Sequence, residues 1–430
     1  MSEFKPVLLA LPSLTPSLAI EILPYGLIIN KIIVQPDGRT HDLLIGPELP
    51  QHHLQRKYVN TIIGRYANRI PVGKHAIERN GIQAEVTAIA NEGDKVSLHG
   101  GPTGFDALPW EQVDKPTLFT ATELSHLPGA EESTAAVFRL VSPDGDQGFP
   151  GKLIVEALVA LIGPGTQERK FIRPGDHIDQ LEFDLGSVVL VYRAKLDSAQ
   201  PAVTPVNLTQ HWGFNLTASL KDGPESLSIK DHLLTIKADN IVDRDEVHLS
   251  KYSYLPVANT PHAHVAKPIG QDFPGVGYDD YYLLSKAPTE VPKRFPVSSL
   301  KPDFDLLKDV LRPTHEDTPA PRGQRGEPVV ELSSPKSGLK IIFDTNQSGL
   351  MFYSNIFSDA SEGYRKRIHG GSGEKGDGYG PQTAAFLEFH DPLAAFLDPS
   401  TKNGDDTLLT SDEIYNNYVR MDVKFKQQAP

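Results

Sequence analysis

The chain contains no cysteine. That excludes disulfides, thiol nucleophiles and thiolate metal sites, and it fits a reducing compartment. Nor does any run approach the ~18 apolar residues that a membrane span requires. The N-terminus, Met1-Ser-Glu-Phe-Lys-Pro6, leads into an apolar stretch, Val7 to Ala10, that is too short for a signal peptide and is soon interrupted by Pro12 and Pro16. Basic residues are in deficit, 42 against 55 acidic ones, giving a formal charge of -13 over 430 residues. A surface of that sign repels a phosphate backbone, which argues against nucleic acid as a partner. The expectation is a cytoplasmic protein that contacts no membrane, with its oligomeric state open between monomer and weak dimer.

Room for long helices is scarce as well. With 35 Gly and 36 Pro, punctuation falls every few residues, so the chain reads as many short strands. Alternation is clearest in Val419-Arg-Met-Asp-Val-Lys-Phe425, with every odd position apolar and every even one charged. This predicts one buried face and one wet face. Similar readings fit Leu27 to Val34 and Asp42 to Ile45 on either side of a Pro-Asp-Gly turn. They also fit Lys152 to Ile162, Ser187 to Leu196, Gly338 to Asp344 and Thr383 to Glu388. Strands spread over the whole length predict an all-β antiparallel sandwich forming a single domain over 1–430. Three Gly-, Pro- and charge-rich stretches, 163–186, 301–327 and 359–380, read as long surface loops, with a short helix over Asp305 to Leu311.

Five polar clusters stand out from this background. Thr204-Pro-Val-Asn-Leu-Thr-Gln-His211, continuing through Trp212-Gly-Phe-Asn-Leu216, presents one imidazole among amides and rings. Imidazole can give and take a proton near neutrality. Ile63-Gly-Arg-Tyr-Ala-Asn-Arg-Ile70 sets Arg65 and Arg69 four apart; guanidinium forks suit carboxylates or vicinal hydroxyls, and ordinary surface ion pairs are the plain alternative. His99 sits in the glycine-rich turn Leu98-His-Gly-Gly101, which also reads as a turn with a solvated histidine. Asp279 and Asp280 are wrapped in tyrosines, and aromatic faces stack on sugar rings while carboxylates accept from hydroxyls. In Ala385-Phe-Leu-Glu-Phe-His390, a period of two puts Glu388 and His390 on one face, and burial there would raise the Glu388 pKa toward that of a base.

Other signatures fail. No Gly-Lys-Ser/Thr follows Gly100, so there is no phosphate loop, and no EF-hand ligand ladder surrounds Asp279. His262 and His264 are spaced to share a metal but have no acidic or further histidine partner nearby in sequence.

Taken in order, the clusters resemble the galactose mutarotase family, the aldose 1-epimerases, from about Ser17 to Lys426. The pieces that carry the resemblance are Thr61 to Ile70, Leu98 to Gly101 with Phe105 and Trp110, and Ser142-Pro-Asp-Gly-Asp-Gln-Gly-Phe-Pro-Gly151. They continue with Thr204 to Leu216, Gly277-Tyr-Asp-Asp280, Met351-Phe-Tyr-Ser-Asn355, Phe386-Leu-Glu388 and Leu409 to Phe425. The resemblance implies a large β-sandwich with an open sugar cleft. It implies that His211 is the acid at the pyranose ring oxygen and Glu388 the base at the anomeric hydroxyl, with Arg65, His99 and Asp279 holding the sugar. It implies a free hexose such as glucose or galactose as substrate, with no cofactor and no metal.

The sequence departs from the family pattern at Gln210, Trp212, Gly213, Asp280 and His390, which points to an altered cleft wall. Two rival functions remain. Arg365, Lys366, Arg367 and Lys375 in the 359–380 loop could meet the phosphate of a hexose 6-phosphate, with a solvated loop as the plain alternative. A sugar-binding or regulatory protein without turnover is the other.

Overall fold

The computed structural model describes residues 3–12, 17–127, 133–165, 182–285, 289–313, 328–401 and 405–427. Its largest element is a ten-stranded antiparallel sheet. In spatial order its strands are Glu111–Gln112, Ala135–Ser142, Leu153–Ile162, Glu182–Leu196, Glu413–Lys426, Leu339–Thr345, Val330–Ser333, Leu233–Ile236 and Lys267–Pro268, with Arg294–Pro296 also paired to Glu413–Lys426. A six-stranded sheet runs Gly213–Phe214, Ala385–His390, Gly349–Tyr353, Asp279–Leu284, Ala238–Arg244 and Ser250–Pro256. A four-stranded sheet follows chain order through Val7–Ala10, Leu18–Leu23, Ile28–Val34 and His41–Asp42. The expected all-β antiparallel sandwich is what these strands build. Ala121–Leu124, closed by a capping box between Thr120 and Glu123, is the one α-helix among the described residues. No helix among them is long and apolar enough to cross a membrane.

Alternation sorts the side chains as a half-buried strand requires. Val419, Met421 and Val423 join Val188, Leu190 and Tyr192 of the neighbouring strand in the main core, where they belong to one cluster with Leu350, Phe352, Leu387 and Phe389 of the six-stranded sheet. The opposite face of the ten-stranded sheet is not wet, contrary to the alternation argument. Arg420 and Asp422 are 0% and 4% exposed. Arg420 donates to Asp422, to Ser187 Oγ and to the carbonyls of Val310 and Arg312. A second apolar cluster joins Val189, Val191 and Tyr418 to Leu307, Val310 and Leu311 on that side. Arg420 and Asp422 are buried charges because they pair with each other under a covering segment that Arg420 also binds.

That cover is the described part of the second long stretch, where the short helix expected over Asp305 to Leu311 does not form. Asp305 caps one turn, accepting from the N–H groups of Leu307 and Lys308, and Leu311 closes it on Leu307 O at 2.8 Å. Arg420 then takes the next carbonyls and Pro313 follows, so the turn cannot propagate. Residues 166–181 and 314–327, in the first and second expected loops, lie outside the described residues. The third, 359–380, holds two short 3-10 turns, Ala360–Glu362 and Arg367–His369.

Candidate active site

A cavity of about 320 Å³ opens on the face of the six-stranded sheet turned away from the main core. Among its lining residues are His99, His211, Asp279 and Glu388, four of the five side chains singled out from the sequence. Strand register explains the meeting. Phe386, Tyr353 and Asp279 are cross-strand partners in one row, and Glu388, Met351 and Tyr281 in the next, so Asp279 and Glu388 rise from the same face two strands apart. Leu387 and Phe389, the intervening positions, enter the core.

His211 arrives from a different direction. It follows the short strand Thr209–Gln210, and its N–H donates to Thr61 O at 2.8 Å while its carbonyl accepts from Asn60 N. Its ring packs 4.9 Å from that of Phe386. Nε2 lies 3.1 Å from Oε1 of Glu388, whose side chain is 1% exposed. Oε2 of Glu388 has no hydrogen-bond partner although it is buried. Burial pushes the Glu388 carboxyl well above the usual carboxylate range, and the negative Asp279 adds to the rise. Burial also pushes the His211 imidazole down, to about 3. Burial thus disfavours the charged form of either group, and the 3.1 Å contact allows a proton to pass between them. Such a pair can take a proton at one substrate oxygen while delivering one at another.

His99 stands at right angles to His211, ring centroids 5.3 Å apart. It has φ of 53°, in the left-handed region, and the following Gly100 passes so close to the Gly64 carbonyl that a Cβ there would lie 2.2 Å from its oxygen. The Asn68 N–H donates to His99 Nδ1, which leaves Nε2 as the protonated nitrogen of the neutral ring. Asp279 Oδ2 makes no hydrogen bond, yet Arg69, Arg244 and His248 surround it at 3.8, 3.6 and 3.5 Å. An acceptor so placed is ready for a hydroxyl.

Arg65 is the exception among the expected site residues. It points away from the cavity, and its guanidinium donates to the carbonyls of Ser142, Pro143, Pro150 and Gly151 and to Ser142 Oγ. It ties the Ser142 to Gly151 loop to the sheet. The cleft arginine is Arg69, four residues on, which forks onto Glu92 at 2.6 and 2.9 Å and presents its remaining Nη1 to Asp279. Tyr58, Asn68, Tyr353 and Phe386 also line the cavity and were not assigned from sequence. Asn68, Tyr353 and Phe386 lie inside the matching motifs, which was the available signal.

None of the unusual residues of the motifs is itself among the residues lining the cavity. Gln210 is buried on the core side, donating to the Leu27 and Asn60 carbonyls and accepting from Tyr192. Trp212 is fully buried and donates to Leu387 O. Gly213 admits Phe386, whose ring would lie 2.6 Å from a Cβ at that position. His390 shares a face with Glu388, as the period of two requires, but is sealed off, with Nδ1 against Asp391 O. Asp280 accepts from Arg244 and from the Asp279 N–H.

The four loop cations that suggested a phosphate site each face one of the protein's own carboxylates. Arg365 meets Asp377 at 2.6 Å, Arg367 meets Glu48 at 3.5 Å and Lys375 meets Glu362 at 2.9 Å. Lys366 is buried, 2.8 Å from Asp42. The pair His262 and His264 converges on the Tyr282 hydroxyl, at 2.9 and 3.2 Å.

A family model described as Aldose 1-epimerase matches residues 15–166 and 181–377. Galactose mutarotase of Homo sapiens is 30% identical over 274 residues, which cover 62% of this chain and 64% of that protein. Aldose 1-epimerase of Escherichia coli (strain K12) is 29% identical over 257 residues, 58% of this chain and 59% of that one. The match thus spans a little under two thirds of the length of these relatives. In three dimensions a galactose 1-epimerase from Lactobacillus acidophilus NCFM superposes with a TM-score of 0.61 at 17% identity, covering 99% of this chain and 100% of that one. A C. elegans aldose epimerase homologue gives 0.64 at 16% identity, covering 98% and 100%. At such identities the structural likeness is one of fold.

Proposed function

The chain belongs to the aldose 1-epimerase family, and on that premise we propose that it interconverts the α and β anomers of a free hexose such as glucose or galactose. The observation that carries the reading is the buried pair of His211 Nε2 and Glu388 Oε1, 3.1 Å apart on the wall of a sugar-sized cleft. Glu388 takes the proton from the anomeric hydroxyl while His211 delivers one to the ring oxygen, and the hemiacetal opens to the aldehyde. Rotation about C1–C2 presents the other carbonyl face, and the same pair, with roles reversed, closes the ring. Only protons move between positioned oxygens, so the protein's work is placement and acid–base balance.

Arg69, His99 and Asp279 hold the sugar hydroxyls in this scheme. Their donors and acceptor converge on one cavity, which is what supports the assignment. Tyr353 and Phe386 supply ring faces for the apolar side of the pyranose. A cytoplasmic location goes with the reading, supported by the complete lack of cysteine.

Polarimetry on freshly dissolved α-glucose and α-galactose tests it. Wild type accelerates the approach to the equilibrium rotation, whereas His211→Asn and Glu388→Gln lose ~10²- to 10⁴-fold of that acceleration. Three proteins that bind sugar but all run at the uncatalysed rate would instead mean a carbohydrate-binding protein without turnover.

A further inference from the structure

Of the three nitrogens that surround Asp279 Oδ2, two come from one hairpin that the proposed chemistry leaves unused. Its strands, Ala238–Arg244 and Ser250–Pro256, pair antiparallel and are joined through Asp245 to Leu249. That connection is tightly built. Asp245 Oδ1 accepts from the N–H groups of Val247 and Leu249 at 3.0 and 2.9 Å, and the Asp245 carbonyl accepts from His248 N at 3.0 Å. His248 is thereby held with φ of 64°, in the left-handed region that a residue with a Cβ seldom adopts. Its Nδ1 stands 3.5 Å from Asp279 Oδ2, with 39% of the side chain open to solvent.

Arg244, at the start of the same connection, braces Asp279 from the backbone side. Its Nη2 donates to the Asp279 carbonyl and to Asp280 Oδ1, and its Nη1 lies 3.6 Å from Asp279 Oδ2. Asp280, a departure from the family pattern, thus anchors the arginine that steadies its neighbour. His248 reaches only the Asp279 carboxylate. Oδ2 makes no hydrogen bond among the described residues, so a sugar hydroxyl and the His248 ring compete for the same lone pairs. Neither Arg244 nor His248 is among the residues lining the cavity, and each acts on a bound sugar through Asp279.

The charged groups that face His248 are Arg244 on its own hairpin, Arg69, Asp279 and Glu92. Burial first, then the two arginines, hold its pKa below the usual imidazole value against the opposing pull of Asp279 and Glu92. The ring is neutral near pH 7 and gains its proton in acid, and that proton adds a full positive charge beside Oδ2.

We propose that His248 is a positioning residue for Asp279: its neutral form, with Arg244, leaves the carboxylate turned to the sugar, and its protonated form draws the carboxylate away and weakens substrate binding. The inference rests on the reading of this cleft as a sugar site and does not require turnover.

The test compares full-length wild type, His248→Asn, Asp279→Asn and the double variant. Asn keeps a neutral polar group near the place of Nδ1 and tolerates the left-handed backbone, so the hairpin is retained. KM and kcat for α-glucose are measured at about pH 7.5 and about pH 5.5. On acidification the wild-type KM rises ~3- to 10-fold more than that of His248→Asn, while kcat follows the same course in both. Over Asp279→Asn the His248 substitution has no such effect. A KM with the same pH course with and without His248 would overturn the proposal, as would a His248 effect that persists over Asp279→Asn. Calorimetry with methyl β-galactoside, which cannot mutarotate, supplies the reciprocal measurement at about pH 6 in two buffers of different ionisation heat. Sugar binding expels the His248 proton, so wild type releases more protons than His248→Asn. That difference in a protein that converts no free sugar would refute the epimerase reading and keep this one. Equal release from the two proteins, with conversion intact, would keep the epimerase reading and refute the role of His248.

Discussion

Arg69 Nη1 lies 3.8 Å from Asp279 Oδ2 at the cleft, while the other face of the Arg69 guanidinium is forked onto Glu92. The arginine is thereby locked with one donor edge turned toward the cavity. Truncation to Ala removes a charge-assisted contact worth about 1.5–3 kcal/mol, so Arg69→Ala lowers kcat/KM by ~10- to 100-fold. Glu92 is half-exposed and rehydrates, so the thermal midpoint moves little. Arg65→Ala does the opposite. It strips four carbonyls of their donor and costs about 3 kcal/mol of stability, while the protein that remains folded keeps its kcat/KM. Kinetics and melting curves on the two variants decide between these roles, and an inactive but fully stable Arg65→Ala would reverse them.

The same two arginines show what the sequence could and could not convey. Motif order led to the right family and fold, and alternation put Glu388 on the same face as His390 and opposite Leu387. Spacing of four says nothing, however, about direction when the chain turns between the two positions, and Asn68, with φ of 63°, does turn. The choice of Arg65 over Arg69 failed there. Alternating charge in Val419 to Phe425 likewise looked solvated, because a one-strand pattern does not reveal that residues 301–313 cover it. The unusual Gln210 and Trp212 looked like cleft residues because they flank His211, yet alternation itself sends them to the core.

In the proposed reaction Asp279 also contributes to the position of the alkaline limb of activity. The His211–Glu388 pair works with one proton, so activity fails when a second proton binds at low pH and when the only proton leaves at high pH. Burial is the larger cause of the raised Glu388 pKa, and the Asp279 charge is the next. Asp279→Asn removes that negative neighbour, so loss of the proton becomes easier and the alkaline limb of kcat/KM moves to lower pH. A limb that stays in place while overall activity falls would show that Asp279 only grips the sugar.

Acid should unfold the protein earlier than its carboxylates alone would. His53 and His264 are pushed to about 3, and His232 and His369 to about 4, in each case chiefly by burial. Each has a folded pKa below the unfolded value of about 6.5. Each therefore contributes stability that is present above pH 6.5 and is lost as pH falls toward its folded value, because the unfolded chain binds the extra proton. Asp106, raised to about 6 by burial, and Glu388, also raised by burial, work the other way, but the buried histidines, with His211 and His390 among them, outnumber these two. The thermal midpoint falls steeply between pH 6.5 and 4, with proton uptake on unfolding. A midpoint flat across that window would contradict the burial of these rings as neutral species.

Lys366 tests whether the 359–380 segment is structural or meets a phosphate. Its side chain is 1% exposed, and Nζ donates to Asp42 Oδ2 at 2.8 Å, Asn30 O at 2.7 Å and Leu44 O at 2.9 Å. Lys366→Met leaves the fully buried Asp42 carboxylate without its counter-charge, at a cost of about 3–5 kcal/mol. Asp42→Asn in the same chain removes the orphaned charge and recovers part of the loss, so chemical denaturation of the four proteins gives a coupling energy of ~0.5–3 kcal/mol. Kinetics on the folded fraction complete the argument. With Lys366 tied inward, the variant has the same ratio of KM for glucose 6-phosphate to KM for glucose as wild type. A selective rise for the phosphate ester would return this loop to the substrate site.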